Sequence, residues 1–255
     1  MKICLLASGS KGNSILVESG KTRLLIDAGL SARELRKRLD SVGVEAESLD
    51  ALLITHEHGD HVRGLGPLVR QLDLPVYLQT DLARKLPDVG KPECVQEFVD
   101  GEEFTIKDLT IRPFAITHDC LAPVGFTLDG ELGKVGVATD LGIVTRLVTE
   151  CLQDCRALVL ETNHDEELLR DGPYPWKLKQ RVRSNHGHLS NNAAGNLLQS
   201  LLWNGLETVF LGHLSETNNR PDLAMEVVRE VLEKQNICEP QVLLGKQQLP
   251  VLWAA

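Results

Sequence analysis

The chain has 255 residues, of which 42% are hydrophobic, 25% are charged and 4% are aromatic. These values are typical of a globular protein with one large core, and they exclude collagen, coiled coils and disordered chains. The formal net charge of −9 disfavours a general electrostatic affinity for nucleic acids, so any polyanion must find a local basic site.

The hydrophobic runs and the cysteine spacing of the sequence predict neither a targeting signal nor reactive cysteines. No apolar run approaches the roughly 18 to 20 residues that a bilayer helix requires, and the apolar opening at residues 1–7 is too short for a signal peptide. The six cysteines lack the spacing of a thiolate metal site and the density of a disulfide scaffold. We therefore expect a cytoplasmic protein with reduced cysteines, no membrane association and no obligate protein partner.

Strand and helix signals alternate along the chain. Short apolar runs rich in β-branched residues predict strands at 2–7, 14–18, 22–26, 51–55, 95–99, 109–117, 124–128, 134–138, 157–160 and 208–211. Helical spacing predicts helices at 32–39, 65–72, 191–203 and 223–232. Since no linker or repeat interrupts the chain, we expect one α/β domain over residues 1–255, with two sheet-plus-helix halves packed sheet to sheet.

A string of metal-binding residue types follows the predicted strand at 51–55. It contains His56, His58, Asp60 and His61. A lone histidine is more often structural than a ligand, but three histidines and an aspartate within six residues favour a metal site. Extended backbone places His56 and His58 on one side, and the turn at Gly59 turns the next two side chains toward a neighbouring position. Imidazole and carboxylate ligands suit zinc, manganese or iron.

This string resembles the HxHxDH signature of the metallo-β-lactamase-fold hydrolases, and further motifs match in the same order along the chain. The resemblance implies a four-layered αββα sandwich that binds two divalent metal ions, zinc or manganese, with iron also accepted. It implies one metal site formed by His56, His58 and His118, and another formed by Asp60, His61 and His213. Asp140 resembles the carboxylate that bridges the two metals, and Asp27 resembles the aspartate that braces the ligand loop.

Departures from other branches of this superfamily narrow the reaction. Position 58 is histidine where oxygen-reducing diiron relatives carry glutamate, and position 140 is aspartate where secreted antibiotic-degrading relatives carry cysteine. The residues around His118 also differ from the string typical of thioester-hydrolysing relatives. These differences favour phosphodiester chemistry.

A second histidine motif occupies residues 187–194, where Ser190 or Asn191 is a plausible helix N-cap. Unpaired N–H groups at a helix start favour phosphate. His188 is similar to the histidine that protonates the leaving oxygen in tRNA 3′-processing endonucleases and related phosphodiesterases. The alternative is a solvated capping residue. Asn163 and His164 resemble an acidic-histidine string of nuclease relatives and are candidate substrate residues.

Sequence motifs along nearly the whole chain are similar to those of the WalJ (YycJ) family of bacterial double-stranded DNA exonucleases. The glycine-rich loop at 7–14 is either a hairpin turn or a phosphate-binding nest. The basic residues Lys177, Lys179, Arg181 and Arg183 stand beside Trp176 and form either a DNA contact or a solvated face. The further substrate residues that we expect are Ser10, Asn13, Asn218, Asn219, Lys177 and Lys179.

The resemblance thus implies a DNA exonuclease in which two cations about 3.5 to 4 Å apart hold a bridging hydroxide. Asp60 would orient this nucleophile, and His188 would protonate the leaving group. Three alternatives remain: a hydrolase of a small phosphodiester or thioester, a tRNA-processing-like endonuclease, and a non-catalytic metal-bound module. To decide between a nuclease and a small-molecule hydrolase, the shape of the active-site cleft must be known, and the sequence does not give that shape.

Overall fold

The computed structural model describes residues 1–86 and 89–255. Within these residues, fourteen strands form two seven-stranded sheets. In spatial order, the first sheet contains β14 (Val251–Ala254), β1 (Lys2–Ala7), β2 (Ser14–Ser19), β3 (Thr22–Ile26), β4 (Ala51–Leu53), β5 (Val76–Gln79) and β6 (Val95–Phe98). The second contains β13 (Gln241–Leu244), β12 (Thr208–Gly212), β11 (Ala157–Glu161), β10 (Gly133–Ala138), β9 (Val124–Gly130), β8 (Leu109–Ala115) and β7 (Phe104–Ile106).

Helices connect the strands and cover the outer faces of both sheets. Those of the first half are α1 (Ala32–Ser41), α2 (Gly59–Val62), α3 (Leu65–Leu72) and α4 (Thr80–Lys85). Those of the second half are α5 (Arg146–Leu152), α6 (Glu166–Asp171), α7 (Trp176–Val182), α8 (Asn191–Ser200) and α9 (Pro221–Glu233). Among the described residues, no helix combines the length and the apolar character needed to cross a membrane.

Alternating side chains divide the interior into three apolar layers. In β1, Ile3 and Leu5 point into the layer between the sheets, whereas Cys4 and Leu6 point toward α1 and α3. This follows from the two-residue period of a strand, since both faces of each sheet are covered. A third layer packs the outer face of the second sheet against α5, α8 and α9. The predicted αββα sandwich is confirmed.

Several helices, including α1 and α8, begin at a residue whose side chain caps them. Ser31 caps α1, because its hydroxyl accepts a hydrogen bond from the Glu34 N–H group. Leu35 and Leu39, four residues apart, are then fully buried against the first sheet. At the start of α8 the cap is Ser190, one of the two residues that the sequence suggests.

The order of the strands along the chain does not divide cleanly between the two sheets. Strand β14, at the end of the chain, crosses back and pairs antiparallel with β1 in the first sheet. This strand lies outside the predicted elements, as do β5, β7, β13, α2 and α4 to α7. They have three to seven residues each, and such short segments show little periodicity.

The polar motifs lie at one edge of the sandwich. Strands β3 and β4 run parallel in the first sheet, and β10, β11 and β12 run parallel in the second. Their carboxyl ends therefore share an edge within each sheet, as in other α/β folds where ligands bind beyond the strand ends. Asp27 and His213 directly follow their strands, and Asp140 follows β10 after one intervening residue. All three have positive φ angles, of 62° for Asp27, 57° for Asp140 and 54° for His213. This backbone conformation is rare outside glycine and clusters at functional sites.

Candidate metal centre

The predicted ligands converge from both sheets. One group consists of His56 and His58, which follow β4, with His118, which follows β8. A second group consists of Asp60, His61 and His213. Within each group the potential ligand atoms all lie within 4.8 Å of one another, and Asp140 forms a further such group with His56 and His61. The structure thus brings together all seven residues that the sequence predicts as ligands.

Hydrogen bonds on the outer side of the rings determine which nitrogen faces inward. His61 Nδ1 lies 2.7 Å from Asp27 Oδ2, and His118 Nδ1 lies 2.9 Å from the Gly187 carbonyl oxygen. His213 Nδ1 lies 2.9 Å from Glu161 Oε1. Because each partner can only accept, each Nδ1 carries the proton, and in the neutral ring Nε2 keeps its lone pair. Outer partners of this kind orient metal-binding histidines in proteins.

The inward-facing atoms fit a divalent cation. His61 Nε2 lies 3.1 Å from Asp140 Oδ2, and His213 Nε2 lies 3.4 Å from Asp60 Oδ2. These pairs bring two electron-pair donors face to face. His56 Nε2 and Asp140 Oδ2 are also buried without a hydrogen-bond partner among the described residues. Buried polar atoms are rarely left unsatisfied, so a cation or a proton belongs between these inward-facing nitrogen and oxygen atoms.

The pKa values describe what protons do at this centre when no metal is bound. Burial disfavours charge on His61, but the carboxylates of Asp140 and Asp27 outweigh it and raise the pKa of the imidazole to about 10. Burial, with the nearby His61, holds the pKa of His56 well below its ordinary value. A cation at the centre would therefore displace protons from the cluster when it binds.

Asp27 supports the ligand string from outside. Its Oδ1 accepts the Thr55 N–H at 2.8 Å, and its Oδ2 accepts the Thr55 hydroxyl at 2.8 Å. Together with the His61 contact, these bonds hold the loop after β4 against the end of β3. This is the bracing role that the sequence resemblance implies for Asp27.

Glu161 belongs to the centre geometrically but is not among the site residues that the sequence predicts. It is fully buried at the end of β11, and its Oε1 lies 2.7 Å from His188 Nδ1 as well as 2.9 Å from His213 Nδ1. Its Oε2 accepts the N–H groups of Leu141 and Leu189. Burial disfavours its charge, but His188 and His213 together outweigh burial and lower the pKa of Glu161 to about 2. The sequence signal that could have identified Glu161 is its position, an acidic residue directly after the predicted apolar strand at 157–160.

His188 lies on the wall of the same centre without belonging to the two predicted ligand sets. Its ring centroid is 4.9 Å from that of His118 and 5.2 Å from that of His213. Burial lowers the affinity of His188 for a proton, but the Glu161 carboxylate outweighs it and raises the pKa of the imidazole. Because Nδ1 bonds Glu161, Nε2 is the nitrogen left for other contacts.

Two N–H groups at the start of α8 are already engaged in hydrogen bonds. The Asn191 N–H donates to the His164 carbonyl oxygen, and the Ala193 N–H donates to the Ser190 hydroxyl. These bonds satisfy two of the donors that the first turn of a helix would offer to a phosphate. The position of His188 is thus determined by Glu161 rather than by a free helix terminus.

Only part of the predicted substrate set lines the cavity at this centre. The cavity has a volume of about 390 Å³, and Ser10, Asn163 and Asn218 are on its wall. Asn13 does not line the cavity but contacts the predicted ligands directly, with its Nδ2 at 3.3 Å from Asp60 Oδ2 and 3.1 Å from His61 Nε2. Its loop, residues 8–13, is the turn between antiparallel β1 and β2.

The other predicted substrate residues lie elsewhere among the described residues. His164 is 3% exposed and forms a backbone bridge to Ser190. Asn219 exchanges amide hydrogen bonds with Asn191. Lys177 and Lys179 lie on α7, and Lys179 Nζ donates to the Arg170 carbonyl oxygen. His164 Nδ1 is also buried without a hydrogen-bond partner among the described residues. The substrate roles of His164 and Asn219 stay predictions.

Comparisons with known proteins agree with this architecture. A model of the β-lactamase superfamily domain matches residues 22–213. Exodeoxyribonuclease WalJ of Streptococcus pneumoniae serotype 2 (strain D39 / NCTC 7466) is 36% identical over 238 residues, which cover 91% of this chain and 88% of the relative. Exodeoxyribonuclease YycJ of Bacillus anthracis is 34% identical over 234 residues, covering 91% and 89%.

Solved structures also match in fold. The metallo-β-lactamase fold protein YhfI from Bacillus subtilis superposes with a TM-score of 0.73 at 20% identity, over 99% of each chain. Because the domain model matches more than half of the chain, and WalJ and YycJ are 36% and 34% identical to it over 91% of its length, the chain belongs to the β-lactamase superfamily, within the family that includes WalJ and YycJ.

Proposed function

We propose that this protein is a metal-dependent DNA exonuclease that uses two divalent cations. The observation that carries the proposal is the His188–Glu161 pair, a proton-donor arrangement on the wall of a cavity lined by metal ligands. The relatives named exodeoxyribonucleases, matched over 91% of the chain, supply the substrate class. Because DNA is the substrate, we place the reaction in the cytoplasm.

The ligand sets support two cation positions. His56, His58 and His118 would hold one cation, Asp60, His61 and His213 would hold the other, and Asp140 would lie between them. Nitrogen and carboxylate oxygen donors without a thiolate suit zinc or manganese, and they also accept iron. When bound, such cations make a water nucleophile available near neutral pH and neutralise charge on the phosphate.

The protein residues around the cavity supply the rest of the chemistry. Asp60 is half-buried beside His213 and can orient a nucleophilic water by accepting its hydrogen bond. Glu161 raises the pKa of His188, so a larger fraction of this histidine carries a proton at pH 7. His188 then donates the Nε2 proton to the leaving oxygen of the phosphodiester, as general acids do. Ser10, Asn163 and Asn218 line the cavity and are the predicted substrate residues that fit this scheme.

A small-phosphodiester hydrolase is the second candidate function. The cavity of about 390 Å³ has the size of a small-molecule pocket, and the net charge of −9 disfavours long-range attraction of DNA. An end-labelled duplex and bis-p-nitrophenyl phosphate, each with Mn²⁺ and with a chelator, separate the two. Chelator-sensitive shortening of the duplex from one end supports the exonuclease, whereas cleavage of the small ester alone supports the second candidate.

The variant His188→Ala tests the proposed proton donor. We expect turnover to fall about 10²- to 10⁴-fold, with the metal content, measured by elemental analysis, unchanged. The matched control is His186→Ala, which removes an exposed imidazole from the same segment, two residues before His188. Unchanged DNA cleavage by His188→Ala at saturating metal would remove this residue from the mechanism.

A further inference from the structure

The charge of the cavity wall is unbalanced toward acid. Asp60, Asp119 and Asp140 line the cavity, whereas Arg181 is the one arginine or lysine among the described residues on its wall. Asp60 and Asp140 belong to the predicted ligand groups, so bound cations would offset their charges, whereas Asp119 lies outside those groups. Arg181 adds a positive charge to the wall with which a phosphodiester anion can pair.

Helix α7 places Arg181 at this wall. Leu178, Arg181 and Val182 line the cavity, as their spacing of three and four residues on one helix face requires. Trp176, Lys179 and Arg183 instead line a separate surface depression on the other side of the helix. Of the basic residues of this segment, Arg181 is therefore the one that faces the metal centre.

Asp119 links Arg181 to the ligand cluster. Its Oδ2 accepts a hydrogen bond from Arg181 Nε. Its Oδ1 lies 3.5 Å from His118 Nε2 and 3.9 Å from His58 Nε2. The carboxylate thus lies between the guanidinium and the predicted ligands of the first cation, and it holds the guanidinium toward that position.

The guanidinium keeps donors for a ligand. Within the described part of the chain, Asp119 is the ion-pair partner of Arg181, and it engages the Nε group. The two terminal nitrogens carry four further N–H groups in a planar arrangement that matches two oxygens of a phosphate. The Arg181 side chain is 55% exposed, so a substrate in the cavity can reach it.

We propose that Arg181, oriented by Asp119, binds the non-bridging oxygens of a phosphate group and positions it beside the metal ligands. Arg181 is thus a substrate-binding residue, and Asp119 is a positioning residue that acts through it. This inference deepens the proposed function and rests on it for the identity of the substrate, a DNA phosphodiester. The recognised chemistry is the phosphate itself, which a small phosphodiester or a nucleotide shares.

The test compares Arg181→Gln, Arg181→Lys and Asp119→Asn. The control is Arg146→Gln, which removes an arginine that pairs with Glu150 on the surface of α5, with its side chain 91% exposed. For each protein, elemental analysis gives the metal content, and calorimetry gives the affinity of thymidine 5′-monophosphate for the Mn²⁺-loaded protein. Steady-state kinetics give KM and kcat for an oligonucleotide duplex and for bis-p-nitrophenyl phosphate.

For Arg181→Gln we expect nucleotide affinity to fall about 10- to 100-fold, the range for a lost hydrogen bond to a charged group. KM should rise more than kcat falls, because the contact exists before the reaction. Arg181→Lys should lie between wild type and Arg181→Gln, since lysine keeps the charge but not the planar donors. Asp119→Asn should weaken binding less than Arg181→Gln, with the metal content unchanged in every variant.

Two results would overturn the inference. One is unchanged nucleotide affinity and KM in Arg181→Gln. The other is loss of metal from Asp119→Asn, which would make Asp119 a ligand rather than a positioning residue. Failure of the proposed function appears differently, as wild-type protein that leaves DNA intact in the presence of Mn²⁺. In that case nucleotide affinity still decides the role of Arg181.

Discussion

At the scale of single residues, the centre is a set of histidines oriented by acceptors behind them. Asp27, Glu161 and the Gly187 carbonyl each take one ring N–H, so the other ring nitrogen faces the shared interior. The predicted ligands were readable in the sequence because four of them fall within six consecutive positions. Glu161 was not, since its contacts with His188 and His213 join residues 27 and 52 positions apart.

Glu161→Gln tests the role of this carboxylate. The amide has nearly the same shape, but it has one acceptor oxygen and no charge to hold His188 and His213. We expect activity on bis-p-nitrophenyl phosphate, or metal affinity, to fall about 10- to 100-fold, as is typical when a partner behind a ligand is changed. The control is Glu166→Gln, which changes an exposed glutamate that accepts the Ser190 hydroxyl. Equal activity and metal content in the two variants would show that Glu161 is dispensable.

At the scale of elements, the site depends on close contacts between loops at the strand ends. The backbone of residues 27–29 lies against the metal-binding loop, with Ala28 N–H donating to the His61 carbonyl oxygen. Gly29 permits this approach, because a Cβ atom there would lie 1.7 Å from the Asp60 carbonyl oxygen and 2.5 Å from Asn13 N. The sequence shows a glycine at this position but not the strand of chain against which it packs.

Gly29→Ala therefore forces the loop that carries Asp60 to move. We expect a loss of about 1–3 kcal/mol in the free energy of unfolding, the range for added methyl groups in packed regions, together with reduced metal content. Gly59→Ala is the control, because a Cβ atom at Gly59 has no atom within 4 Å. Urea unfolding and elemental analysis measure both effects. A Gly29→Ala protein as stable as Gly59→Ala would contradict the close approach.

At the scale of the whole molecule, the two sheets are joined by the core between them and by the final strand. Trp253 of β14 is 7% exposed and packs in the layer between the sheets, with the Arg156 guanidinium 5.8 Å from its ring centroid. The predicted ligands also come from both sheets, so a bound cation would connect the same two halves. Residues at the very end of the chain thus support strand β1, whose following loop carries Asn13.

Trp253→Ala should destabilise the protein by about 3–5 kcal/mol, the typical cost of truncating a buried aromatic side chain. The neighbouring Leu252→Ala is the control, because Leu252 is 44% exposed on the opposite face of the same strand, and it should cost about 0.5 kcal/mol or less. Chemical denaturation of both variants measures the difference. Similar values for the two would show that β14 adds little to the core.

The sequence by itself determined the sandwich class, the long strands and helices, and the seven predicted ligands. Hydrophobic periodicity and contiguous polar motifs are local properties, so they can be recognised in the sequence without knowledge of the fold. Only the tertiary structure decided the partners of those residues: Glu161 behind His188 and His213, β14 beside β1, and Arg181 beside Asp119, 62 positions away. It also showed that His164 and Asn219 are buried and lie outside the set of residues that line the cavity, because burial and pairing depend on chain segments that are distant in sequence.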